Sequence, residues 1–106
     1  MHEAVLRMLR EHPAILRALV EKHVFVPPGA DLRVIDATVS PATAPSVRSV
    51  DLAVVIADAK GARLLVLLIE VQLGRDPEKL FAWPVYVAHY AARERLPCVL
   101  VVMTFD

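Results

Sequence analysis

The stretch DLAVVIADAKGARLLVLLIEVQ, Asp51 to Gln72, decides the fold. Two apolar runs, LAVVIA and LLVLLIEVQL, flank ADAKGAR, where Gly61 supplies a turn, so the segment predicts a β-hairpin. With Lys60 and Gly61 as a two-residue turn, Ala59 pairs with Ala62, and counting outward brings Asp51 opposite Glu70. Directly opposed residues have Cβ atoms about 4.5 to 5.5 Å apart, and like charges so placed are destabilising unless something neutralises them. Strand alternation puts Gln72 on the same face as Glu70. Polar groups ending an aliphatic run are costly unless water, a metal or a partner receives them.

On either side the chain alternates in type. Val5, Leu6 and Leu9, then Ile15, Leu16, Leu19 and Val20, recur at helical spacing between charged residues. Pro13 predicts one kinked helix or two short ones over His2 to Lys22. VPPGAD, Val26 to Asp31, reads as a turn, Leu32 to Val39 as a first strand, and the prolines of SPATAPSVRS as a loop. Asp76 followed by Pro77 is a helix start, with Leu80, Trp83, Val87 and Ala91 as the expected core stripe to about Arg95 and Pro84 expected to kink or interrupt it. Pro97 leads into CVLVVMTF, an unalternating strand expected to be buried on both faces. The order is helix, strand, strand, strand, helix, strand, an α/β class with a mixed sheet flanked by helices.

At 106 residues the chain is one domain by size. Its 57% hydrophobic content excludes disorder, and twelve basic against twelve acidic residues provide no basic field to announce nucleic acid. The single Cys98 forms no internal disulfide and reads as a structural thiol in an apolar run. The start, MHEAVLRMLREH, has no signal-peptide character and no apolar run approaches the roughly 20 residues of a membrane span, so a soluble cytoplasmic protein is expected, with no membrane partner. His2, His12, His23 and His89 have no zinc-ligand spacing, and three scattered glycines build no phosphate loop.

Two carboxylates on one face with a backbone carbonyl nearby suit the hard-oxygen preference of Mg²⁺. The competing reading is that Asp51 and Glu70 lie at strand ends and reach solvent, and that Gln72 simply leaves its strand. Trp83, Tyr86 and Tyr90 share helical spacing with Lys79 and Arg93, a stripe that serves either nucleic-acid stacking or, more commonly, core and rim.

Asp51 at the start of one strand and Glu70-Val71-Gln72 at the end of the next resemble the PD-(D/E)XK nuclease superfamily, whose pattern is an Asp followed by Glu-x-Lys. The element order resembles that superfamily's restriction-endonuclease-like αβββαβ core. EVQLGRDPEKLFAWPVYVAHYAARERLPCVLVV is similar to bacterial proteins related to recombination-promoting nuclease and transposase families. The resemblance implies a hydrolase cutting phosphodiester bonds, with DNA as partner and Mg²⁺ or Mn²⁺ as cofactor. It implies Asp51, Glu70 and the Val71 backbone carbonyl as metal ligands, with Glu3 as a further acidic contributor. Gln72 takes the place of the lysine, with Lys79, or Arg75 in the loop, as a replacement cation. A nuclease-fold module that binds a partner without catalysis is the alternative. Relatives of this kind run longer, which leaves open that residues 1–106 are a fragment, and an exposed edge at the last strand would favour a homodimer.

Overall fold

The computed structural model describes residues 2–39, 48–74 and 76–104. Among the described residues it is a mixed α/β structure with three helices. A four-stranded sheet runs in the order β1 (Asp31–Ile35), β4 (Leu52–Ala57), β5 (Arg63–Gln72), β6 (Cys98–Thr104). The first three are antiparallel neighbours and β6 is parallel to β5. A parallel neighbour needs a crossover, and α3 (Lys79–Glu94) is that connection. β2 (Thr38–Val39) and β3 (Arg48–Ser49) form a separate two-stranded ribbon. Among the described residues no helix is long and apolar enough to cross a membrane.

Period-two alternation splits the core into two layers. Leu52, Val54 and Ile56 of β4 and Leu67, Ile69 and Val71 of β5 face Leu6 and Leu9 of α1 (His2–Glu11) and Leu16 and Val20 of α2 (Pro13–Glu21). The intervening residues Ala53, Val55, Val66 and Leu68 face Ala82, Tyr86 and Tyr90 of α3. Coverage on both sides explains the unbroken aliphatic strands, because each successive side chain has a hydrophobic layer to enter. The N-terminal helices are two short ones, separated at His12 and with Pro13 in the first turn of α2.

Several expectations are corrected. The expected strand over Leu32 to Val39 is interrupted, because the Asp36 carboxylate accepts from the Thr38 N–H at 3.0 Å and turns the chain between β1 and β2. The expected loop lies at 40–47 outside the described residues, while its end, Arg48–Ser49, is strand. The core stripe of α3 is Ala82, Tyr86 and Tyr90, and Leu80 is exposed. The buried stripe lies one residue before the expected Trp83, Val87 and Ala91, with the small Ala82 and two tyrosines against the sheet. Pro84 does not interrupt α3. Its missing donor would have met the carbonyl of Leu80, on a side of the helix open to solvent. The helix proper starts at Lys79, yet Asp76 still acts at the entry, its carboxylate accepting from the Glu78 N–H at 3.2 Å. β6 is an edge strand in which only Val101 is buried, not a strand buried on both faces. Cys98 is partly buried, and burial pushes its thiol up to about 11.

The hairpin turn is longer than two residues. Asp58 N–H bonds to the Ala62 carbonyl at 2.8 Å, leaving Ala59, Lys60 and Gly61 as the loop, with Gly61 at φ 87°. Such a loop shifts the register by one, and Ala57 indeed faces Arg63. Leu64 is then left unopposed as a bulge, so that Ile56 faces Leu65 and the register continues to Leu52 facing Ile69. Two one-residue departures cancel, and Asp51 comes level with Glu70 as expected.

Tyr90 is fully buried and its hydroxyl donates to the Asp36 carbonyl at 2.6 Å, tying α3 to the turn after β1. Tyr90→Phe leaves that carbonyl without its donor and should cost about 1 to 2 kcal/mol. Urea unfolding monitored by circular dichroism measures the loss.

Candidate functional site

Between Ile35, which faces Ala53, and Thr38, which faces Ser49, one chain carries two residues and the other three. Val50 N–H bonds to the Ala37 carbonyl, so the extra residue lies between Val50 and Leu52, at the bend of Asp51. The burial confirms the slip: Val50 packs in the α3-facing layer and Leu52 in the opposite one, where regular alternation would put both on one face. A bulge frees Asp51 from the ladder and turns its side chain along β5.

The two carboxylates then interlock with the strand ends. Glu70 Oε1 accepts from the Asp51 N–H at 3.2 Å, and Asp51 Oδ2 accepts from the Val71 N–H at 2.7 Å. Each acid takes a backbone donor that the ladder, ending at Leu52, no longer serves. Val66 N–H bonds to the Pro97 carbonyl on the β6 side, so the odd-numbered residues of β5 direct their backbone groups towards β4. The Val71 carbonyl therefore lies on the Asp51 side.

Lys79, at the start of α3, reaches Glu70 Oε2 with its Nζ at 3.3 Å. Glu70 is 1% exposed. Burial raises its pKa, the nearby Asp51 charge raises it further, and Lys79 acts in the other direction. Partial burial alone would lower the Lys79 pKa, but the charge and hydrogen bond of Glu70 outweigh it and hold the ammonium above its ordinary value. Gln72 is half-buried and its side-chain amide donates to the Gly74 carbonyl. A cleft of about 290 Å³ joins Asp51, Val71, Gln72, Gly74, Asp76 and Lys79. No family model, curated protein or solved structure matches the chain.

Asp51, Glu70, Gln72 and Lys79 thus gather at one end of the sheet, on its α3 side. Glu3 does not join them: it is exposed on α1, which packs against the other face, and among the described residues no three acidic, histidine or cysteine side chains group to hold a metal. Arg75 lies outside the described residues. Tyr86 and Tyr90 belong to the core, which removes them from any stacking surface. Nothing in the sequence singles out Arg10. Its guanidinium donates to the Asp51 carbonyl at 3.1 Å across 41 residues of sequence, and a helical arginine followed by a proline break carries no signal of such a contact.

The donor set fits a hard cation in kind: two carboxylates and a main-chain carbonyl are all oxygen, and Mg²⁺ is commonly held by one or two carboxylates with water completing its shell.

Folding raises the pKa of Glu70, so the folded chain holds this proton more tightly than the unfolded one. That contribution is complete below the ordinary value of 4.5 and is lost as pH rises through the raised folded value. The stability of the wild type relative to Glu70→Gln should therefore fall across that window, as followed by urea unfolding from about pH 4 to pH 8. A difference that widens with pH would show that the Lys79 pairing, rather than burial, governs the group.

Proposed function

We propose that the protein is a Mg²⁺- or Mn²⁺-dependent nuclease of the PD-(D/E)XK type, acting in the cytoplasm on phosphodiester bonds of DNA. The observation that carries this reading is the meeting of Asp51, from the bulge before β4, with the buried Glu70, from the end of β5, beneath a cleft that Asp51 and Lys79 line. The antiparallel β1, β4 and β5, followed by α3 and a parallel β6, are in keeping with a restriction-endonuclease-like core.

In this reading Asp51, Glu70 and the Val71 carbonyl hold the cation. When bound, a divalent ion supplies charge stabilisation to the phosphodiester and makes water more acidic. The chain's own groups do the rest. Lys79 brings a positive charge to the cleft that a transferring phosphoryl group attracts, as electrostatic stabilisation of developing charge requires. Gln72 carries neutral donors and one acceptor, so it orients water or phosphate without adding charge. One N–H of the amide is held by the Gly74 carbonyl, which leaves its second N–H and its oxygen to offer.

That bond also favours a second reading, a nuclease-fold module that binds a protein or nucleic-acid partner without cutting. A Gln72 engaged by its own loop, and carboxylates already satisfied by backbone amides, can serve as a strand-end clasp alone. In that case Asp51 and Glu70 are kept for stability.

Incubation of supercoiled plasmid with the protein separates the two. Cleavage is expected with Mg²⁺ or Mn²⁺, with loss in Asp51→Ala and in Glu70→Ala of the order of 10²-fold or more, as for removal of a group that stabilises a transition state. Full cleavage by the double variant would remove Asp51 and Glu70 from the reaction. Absence of cleavage by the wild type, with divalent-ion binding also absent at millimolar concentration, supports the binding module.

A further inference from the structure

We propose that Glu70 is a single cation seat, occupied in turn by the Lys79 ammonium and by a divalent ion, so that metal entry expels Lys79 from Glu70. This rests on the metal-site reading above and concerns how that site is controlled.

Three observations carry it. Both Glu70 oxygens are engaged, Oε1 by the Asp51 N–H and Oε2 by Lys79 Nζ, and the residue is 1% exposed. A Mg²⁺ ion on Oε2 would lie about 2.0 to 2.1 Å from that oxygen. The ammonium already stands 3.3 Å from the same atom, so the two cations would be crowded into one partly buried space.

Second, Lys79 stands against its local setting. It opens α3, whose first turn contains no acidic residue, at the positive end of the helix dipole where a cation is disfavoured. The helix does not hold the ammonium there; Glu70 does. Among the described residues Glu70 is the ion-pair partner of this ammonium, and a stronger cation on that carboxylate removes it.

Third, Lys79 has somewhere to go. Its side chain is 31% exposed and lines the same cleft as Asp51, Gln72 and Asp76. The displaced ammonium stays beside the position a phosphate would take, so metal binding converts an internal ion pair into a substrate-facing charge.

Mn²⁺ affinity of the whole chain, measured by calorimetry or electron paramagnetic resonance, tests the exchange. Lys79→Met should bind Mn²⁺ about tenfold more tightly than wild type, because the ion no longer displaces a competing charge. Removing a partner from a buried charge can destabilise the fold, so thermal melts accompany the titration: added Mn²⁺ should raise the melting temperature of Lys79→Met more than that of the wild type. In the wild type, the Lys79 side-chain resonances, assigned by their loss in Lys79→Met, should move as Mg²⁺ is added. Wild-type binding with equal or weaker affinity in Lys79→Met, and a Lys79 signal indifferent to Mg²⁺, would overturn the exchange and leave the metal reading standing. No binding by either protein would overturn the metal reading and the exchange together.

Discussion

The reciprocal clasp between Asp51 and Glu70 is the constraint on which this end of the molecule depends. Each carboxylate accepts a backbone N–H from the other's strand, so neither can move without leaving a main-chain donor unserved just beyond the last rung of the β4–β5 ladder. Interior charge is expensive unless it is hydrogen-bonded and paired. Here both conditions are met by three elements converging from separate parts of the chain: the bulge before β4, the end of β5 and the first turn of α3. The sheet therefore ends in a charged cluster because its backbone runs out of partners there, and the acids supply them.

The bulge explains how Asp51 is freed to turn along β5, while Glu70 takes its side from the regular alternation of β5. Without an extra residue at Asp51, the chain entering β4 would already follow the regular ladder, and Val50 would stand in the layer that faces α1 and α2. The slip moves Val50 to the α3 side and leaves Asp51 at a bend. Arg10 then bonds the Asp51 carbonyl from α1, so the site is braced from both layers of helices. That brace links the N-terminal helices to the position of a carboxylate.

Much of this was legible in the sequence, and the rest failed for identifiable reasons. The aliphatic runs on either side of Gly61 marked the hairpin, and counting from the turn brought Asp51 to Glu70. The count used a turn one residue too short, and succeeded because the Leu64 bulge restores the register. No local pattern announces such a bulge, since Leu64 sits in a run of similar residues. The α3 stripe was misjudged because Leu80, Trp83 and Val87 are larger and more apolar than Ala82. Helical periodicity fitted more than one face, and the close approach of the sheet selected the small residue. The burial of β6 could not be read from composition, because an edge strand and a central strand can be equally aliphatic. Lys79 is suggested only through the resemblance, by its place early on the helix after Glu70, whereas Arg10, far away in sequence, has nothing to distinguish it from other surface arginines.

The paired irregularities in the β4–β5 hairpin amount to a buffer against changes of length. A strand register moved by one residue reverses which side each following group occupies, and would carry Glu70 into the layer that faces α1 and α2. Leu64, where the departure is absorbed, lies at the exposed start of β5, well before the buried run that ends in Glu70 and Val71. Slack is thus taken up near solvent, before the chain enters the packed interior. The longer turn at the tip therefore leaves the acidic end in phase with β4.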